Sequence, residues 1–205
     1  KYITIDGKRT CEYDYSQLNP HMVYFLRGAK MGDEDAYDRV FDCEHRDIVK
    51  EAFNAMIQAS TNLTHKPKKL DLSEVDLDWP TLKQAILDAH KPIADVFFQG
   101  HGNHLQFIDS CIAENMMLNF IRAEDAPVLP VHDSFIMHYA YGELGELEEE
   151  MRRSFHGHFK KDINVKSEIG VMLPSSFDGK EWSDLTFEEQ IHGPPEYSQW
   201  EDRNS

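Results

Sequence analysis

Apolar positions along this chain change period several times, and each change marks an element. Ile3 and Ile5 alternate with polar residues, Asp6-Gly7 is a tight-turn pair, and Thr10 to Tyr15 returns with alternating side chains. Residues 1–17 therefore read as a β-hairpin. Leu18 to Leu26 predicts a helix with Pro20 in its first turn, where the missing N–H costs nothing. Asp33 to Phe41 predicts a short acidic helix. Glu44 to Ser60 carries Ile48, Val49, Ala52, Phe53, Met56 and Ile57 at a period of about 3.6, the signature of an amphipathic helix. Residues 61–79 read as a polar loop whose most basic point is Lys66-Pro67-Lys68-Lys69. Pro80 suits the first position of a helix over Thr81 to His90, and Pro92 to Phe98 predicts a second short helix, ended by Gly100 and Gly102. Leu105 to Ile121 predicts a long amphipathic helix with Leu105, Ile108, Ile112, Met116 and Phe120 on one face. Val128 to His132 and Phe135 to Tyr139 predict strands pinched around Asp133-Ser134. Leu144 to Phe159 predicts a helix, Glu168 to Leu173 a strand, and the Pro-, Ser- and acid-rich remainder an irregular tail. The fold class is α/β of the α+β kind, a small antiparallel sheet flanked by helices.

Composition narrows the function classes. The chain has 205 residues, 40% hydrophobic and 11% aromatic, enough for one domain or one and a half with a real core. No run of about 18 apolar residues occurs, so no membrane-spanning helix is expected. Lys1-Tyr2-Ile3-Thr4-Ile5 is neither a signal nor a transit peptide and reads as the interior of a hairpin, so further sequence upstream is expected. Cys11, Cys43 and Cys111 are far apart and odd in number, which points to free thiols in a reducing, cytoplasmic setting. A net charge of −16 excludes a broad nucleic-acid-binding surface. The cations able to meet phosphate are sparse: Arg46, Lys50, Lys66, Lys68 and Lys69. Any nucleic-acid role must be local, or shared with another segment or a partner.

The candidate chemistry lies in two acids, Asp14 and Asp133, each at the end of an apolar, strand-like run. Acids delivered by two strand ends can hold divalent cations for phosphoryl or nucleotidyl transfer. Each has a structural alternative: Asp14 can cap the helix from Leu18, and Asp133 can be a turn residue. Arg46 and Lys50 lie four apart on one helix face and suit a triphosphate, or else pair with Glu44, Asp47 or Glu51 as a solvated surface. His101, His104, His156 and His158 lack the spacing of a closed zinc site. Glu143 to Glu150 reads as a solvated helix face whose acids suit the N-terminal dipole.

Asp14-Tyr15-Ser16-Gln17-Leu18 resembles motif A of family A DNA polymerases, and Val131-His132-Asp133-Ser134-Phe135 resembles motif C. The His-Asp-Ser-Phe ending is closer to phage-type single-subunit RNA polymerases. Between them, Arg46-x-x-x-Lys50-x-x-Phe53-Asn54 resembles motif B, and Gln106 stands where the family has a template-contacting Gln. The resemblance covers roughly residues 1–160 and implies a palm at 1–29 (motif A) and 105–166 (motif C), reduced fingers at 30–104 (motif B), and a C-terminal strand and tail at 167–205. It implies a template-directed nucleotidyltransferase of DNA polymerase type. Two Mg2+ ions would be held by Asp14, Asp133 and the Tyr15 carbonyl. Arg46 and Lys50 would meet the triphosphate, Asn19 the sugar, Phe53 or Asn54 the base, and Gln106 and His132 the nucleic acid. The partners implied are template-primer and nucleoside triphosphate, with an upstream thumb segment or partner subunit, in a phage, mobile-element or bacterial setting. The chain departs from the pattern at Asn19, where the family has Glu, and at Gln58, where it has Tyr. Those departures, the acidic charge and the lack of a visible thumb also fit a degenerate palm kept as a structural or nucleic-acid-binding module. Asn19 and the Ser134-Phe135 ending fit a polymerase making RNA or primers.

Overall fold

A computed structural model of the chain describes residues 5, 10–41, 44–73, 75–138 and 145–168. Two compact units divide the chain, one made of residues 1–16 and 111–205, the other of residues 17–110. The segments expected from sequence meet at 29/30 and 104/105, whereas the units change at 16/17 and 110/111.

The first unit is built on a four-stranded antiparallel sheet in the order β2-β3-β1-β4. Its strands are β1 (Thr10–Tyr15), β2 (Val128–Val131), β3 (Ser134–His138) and β4 (Val165–Glu168). Side chains alternate across a strand, and β1 buries Cys11, Tyr13 and Tyr15 on one face. Phe135 and Met137 of β3 bury on the same face, by register with Tyr13 and Cys11. Tyr15 sits edge-on to Phe135 at 6.1 Å and tilts onto Phe155 at 6.0 Å. Its hydroxyl donates to the Met151 carbonyl at 2.6 Å. Both partners lie on the helix Glu146–Phe159, so β1 is fastened to that helix by a ring and a hydrogen bond. Glu150 of the same helix is 6% exposed, and Asn119, Arg153 and Ser154 all hydrogen-bond its carboxylate. The sequence placed the last strand at Glu168 to Leu173. It begins at Val165, and residues 169–173 lie outside the described residues. The expected partner strand at Ile3 and the Asp6-Gly7 turn also lie outside them. Ile5 alone is described there, as a buried bridge residue. Tyr139 and Leu144, expected as a strand end and a helix start, and the tail from 169 onward, lie outside as well.

The second unit is helical. Its full-length helices are α1 (Leu18–Leu26), α2 (Arg46–Gln58) and α3 (Trp79–Ala89), with 3-10 turns at Asp38–Val40 and Lys91–Val96. The helix α4 (Gly102–Glu124) begins in this unit and continues into the other, where α5 (Glu146–Phe159) follows β3. The apolar stripe of α2 buries Val49, Ala52, Phe53, Met56 and Ile57 as its 3.6-residue period requires. Asp78 caps α3 by accepting from the Thr81 amide at 2.8 Å, with Pro80 in the first turn. Two expectations fail here. The acidic stretch Asp33 to Phe41 forms only the 3-10 turn, because Asp35 Oδ1 accepts from the amides of Tyr37 (2.8 Å) and Asp38 (3.3 Å). Such side-chain capping competes with helix extension. Gly102 opens α4 rather than ending the preceding turn. A Cβ there would stand 2.8 Å from Gln58 Cγ, so only glycine lets the helix start against α2.

Candidate functional site

In the first unit, register fixes the position of both acids. Asp14 lies opposite Ser134 in the β1–β3 pairing, and the Tyr15 amide donates to the Asp133 carbonyl at 3.1 Å. Asp133 follows His132 in the two-residue turn between β2 and β3. The backbone of Asp14, at the end of β1, therefore lies beside that of Asp133, in the turn that opens the neighbouring strand β3. Asp14 is half-buried, with its Oδ1 atom out of solvent, and Asp133 is half-buried too. His132 is exposed and takes φ +55°, a left-handed backbone that is unfavourable for a non-glycine residue. Its place beside Asp133 is a consequence of that turn. Tyr15 is 1% exposed, and its side chain anchors the strand end. Among the described residues no three His, Cys, Asp or Glu side chains group together to hold a metal ion.

The sheet face that carries Asp14 holds further polar groups. Glu12 stands two residues before Asp14 on β1 and so shares its face, and the Ser134 hydroxyl hydrogen-bonds its Oε1. Lys166 of β4 lies directly opposite Asp14 and is exposed. Sequence reading missed both. The alternation of β1 was enough to flag Glu12, whereas Lys166 depends on the β4 register, which no local signal marks.

In the second unit, Arg46 opens α2 but is not free. Its guanidinium pairs with Asp35 at 2.8 Å and Asp38 at 3.5 Å, and its Cζ stands 5.3 Å from the Tyr37 ring centroid. The Asp35 hydrogen bond pushes the Arg46 pKa up. Burial alone would raise the Asp35 carboxyl, but hydrogen bonds from Arg46 and the Tyr37 and Asp38 amides outweigh it and hold that carboxyl below its ordinary value. Lys50, four residues on, is exposed. Asn19 of α1 and Asn54 of α2 are half-buried, and Asn19 Nδ2 donates to Asn54 Oδ1 at 3.1 Å. Gln106 is exposed on α4. Phe53 requires a correction. It has no exposed surface, and its ring packs edge-on against Phe97 (5.1 Å), His90 (4.9 Å) and Tyr37 (5.6 Å). That ring is core and presents no face to a nucleotide base.

The same core holds a buried polar pair. The Tyr24 hydroxyl lies 2.9 Å from His90 Nδ1, and His90 is wholly buried. Burial, then the nearby Arg39 charge, lowers the His90 pKa from 6.5 to about 4. Burial likewise lowers His21 to about 4.

No helix among the described residues is long and apolar enough to cross a membrane. No protein-family model matches the chain, and no curated protein matches it. Among solved structures it is similar to the POL domain of Pol1 from M. smegmatis in complex with DNA primer-template and dNTP. The identity is 13% and the TM-score 0.49, over 80% of this chain and 40% of that one. This chain thus spans less than half the length of that neighbour, and at that score the likeness carries no argument about chemistry.

Proposed function

We propose that this chain is a template-directed nucleotidyltransferase of the family A type, with Asp14 and Asp133 as its metal-binding acids. The observation that carries the reading is the 3.1 Å hydrogen bond from the Tyr15 amide to the Asp133 carbonyl, which sets the two motif aspartates beside each other on one sheet. The donor set fits magnesium. Mg2+ takes one or two carboxylates, keeps several waters, and completes its shell with substrate phosphates, a demand that the half-buried carboxylates of Asp14 and Asp133 would meet. Two Mg2+ ions bound by Asp14, Asp133 and the Tyr15 carbonyl would lower the pKa of a primer 3′-hydroxyl and neutralise the departing pyrophosphate.

The remaining roles fall to the chain's own residues. Lys50, exposed on α2, supplies a point charge for the triphosphate. Arg46 joins it by exchanging the carboxylates of Asp35 and Asp38 for phosphate oxygens. With its Nδ2 engaged by Asn54, Asn19 offers its amide oxygen as an acceptor, which a ribose 2′-hydroxyl can satisfy. Gln106 and His132, both exposed, contact template or primer. The test is incorporation of labelled dNTP and NTP on a primed template, with and without Mg2+. Absence of metal-dependent incorporation refutes the reading.

A second reading, a degenerate palm that binds nucleic acid without catalysis, is favoured by one observation. Arg46 is held by two carboxylates and a ring rather than presented to a ligand. Primer-template binding without metal-dependent incorporation would support it.

A further inference from the structure

The Asp133 turn is short, carries a left-handed non-glycine residue at His132, and must still aim one acid at a fixed place. A backbone of that kind costs about 1–3 kcal/mol and persists only where neighbours over-determine it. The neighbours here are specific. The Tyr15 amide takes the Asp133 carbonyl at 3.1 Å, and the Ser134 hydroxyl bridges back across the turn to the Val131 carbonyl at 2.9 Å. The same hydroxyl also lies within hydrogen-bond reach of Glu12 Oε1 on the adjacent strand, so its one proton is shared between the two acceptors. Ser134 is 5% exposed, so its hydroxyl has little water to turn to. Glu12 is itself an oddity. Glutamate is depleted in strands, and this one lies inside β1, on the face that also carries Asp14 and opposite Ile136. A negative charge next to another acid is unfavourable unless it does something.

We infer that Glu12 is a positioning residue for Asp133. Its carboxylate anchors the Ser134 hydroxyl, and through Ser134 it fixes the turn that carries Asp133. Glu12 acts on the turn through Ser134, and metal ligation is the alternative that Glu12→Gln distinguishes. The kinetic consequence rests on the nucleotidyltransferase reading above, and the structural consequence does not.

The experiment uses the full chain with three variants: Glu12→Leu, Glu12→Gln and Ser134→Ala. The amide oxygen of Gln still accepts from Ser134, whereas Leu removes the acceptor. Two readouts are taken, the exchange rate of the Tyr15 amide proton by NMR, and kcat and KM for nucleotide incorporation. Glu12→Leu and Ser134→Ala should speed Tyr15 exchange about tenfold and lower kcat about tenfold to a hundredfold, the scale on which small misplacement acts, with KM changed less than about twofold. Glu12→Gln should restore both readouts to near the parent. The double variant Glu12→Leu/Ser134→Ala should be no worse than either single, as for two ends of one contact. If Glu12→Gln falls as far as Glu12→Leu in kcat, charge or metal ligation is the role and the inference is overturned. Unchanged Tyr15 exchange in Glu12→Leu overturns it as well. If the parent chain incorporates nothing, the functional reading fails, while faster Tyr15 exchange in Glu12→Leu, restored by Gln, still supports the anchor.

Discussion

His90 should make the helical unit sensitive to mild acid. The ring is wholly buried against Phe53, Phe97 and Tyr24, and its Nδ1 faces the Tyr24 hydroxyl at 2.9 Å. With its pKa lowered from 6.5 to about 4, it stays neutral in the fold where an unfolded histidine would be charged. Between those two values the unfolded chain binds the extra proton. Stability is therefore full above pH 6.5 and is lost as pH falls toward 4. At 1.36 kcal/mol per unit, the whole shift is worth about 3 kcal/mol, of which about 2 kcal/mol is lost between pH 7 and pH 5. That interval lies above the range in which carboxylates protonate in bulk. The perturbation is His90→Phe, which keeps an aromatic ring in the cluster and removes the titration. At pH 7 it should cost about 1 kcal/mol for the lost Tyr24 partner. From pH 7 to pH 5 the variant should lose about 2 kcal/mol less than the parent, read from urea midpoints at fixed m. His21, lowered to about 4 by burial, adds a slope of the same sign, and it persists in the His90 variant. NMR titration of the His90 ring in the folded parent is the direct check. A ring that protonates near pH 6.5 without unfolding, or an unchanged pH slope in His90→Phe, refutes the reasoning.

Three further outcomes are expected. Asp133→Asn should keep its melting temperature within a few degrees and lose at least a hundredfold in metal-dependent incorporation, because one ligand charge goes and the shape stays; retained activity removes Asp133 from the metal site. Asp35→Asn/Asp38→Asn should lower KM for nucleoside triphosphate several-fold by releasing Arg46, at a stability cost of about 1 kcal/mol for a half-exposed pair; an unchanged KM leaves Arg46 as a structural residue. Ribonucleotides should be used within about tenfold of deoxyribonucleotides in kcat/KM, a gap of about 1.4 kcal/mol, since Asn19 offers an acceptor to a 2′-hydroxyl; rejection by a thousandfold shows that Asn19 still excludes it.

What could be read from sequence follows the range of the forces involved. α1 falls on Leu18–Leu26 as expected and α2 lies within Glu44 to Ser60, because both are set by an apolar period and by near neighbours. β1 and the β2–β3 hairpin were legible for the same reason, since an alternating run and a turn of two residues are local events. Gly102 was misread because glycine signals a helix stop only when nothing crowds it. Here Gln58 of α2 stands where a side chain would go, its Cγ at 2.8 Å and its Cα at 3.2 Å, and that proximity is not written near residue 102.

The site residues divide along the same line. The placement of Asp14 beside Asp133 needs only the two strands that carry them, so motif order sufficed to suggest it. Phe53 carried two readings at once, as a member of the α2 apolar stripe and as a lining of a base pocket. Burying a phenylalanine side chain is worth about 1.5–3 kcal/mol, and a ring with no exposed surface gains that while presenting no face to a base. Arg46 is the harder case. Its expected surface partners were Glu44, Asp47 and Glu51 on or beside its own helix, yet Asp47 stands at 3.9 Å and Asp35, eleven residues upstream, takes the guanidinium at 2.8 Å. Asp35 is prepared for this, because the Tyr37 and Asp38 amides already fix its other oxygen. A carboxylate so held imitates a phosphate oxygen, and an arginine satisfied by it must give up that contact before it can bind a triphosphate. The strength of that contact sets whether Arg46 can take the triphosphate role proposed for it.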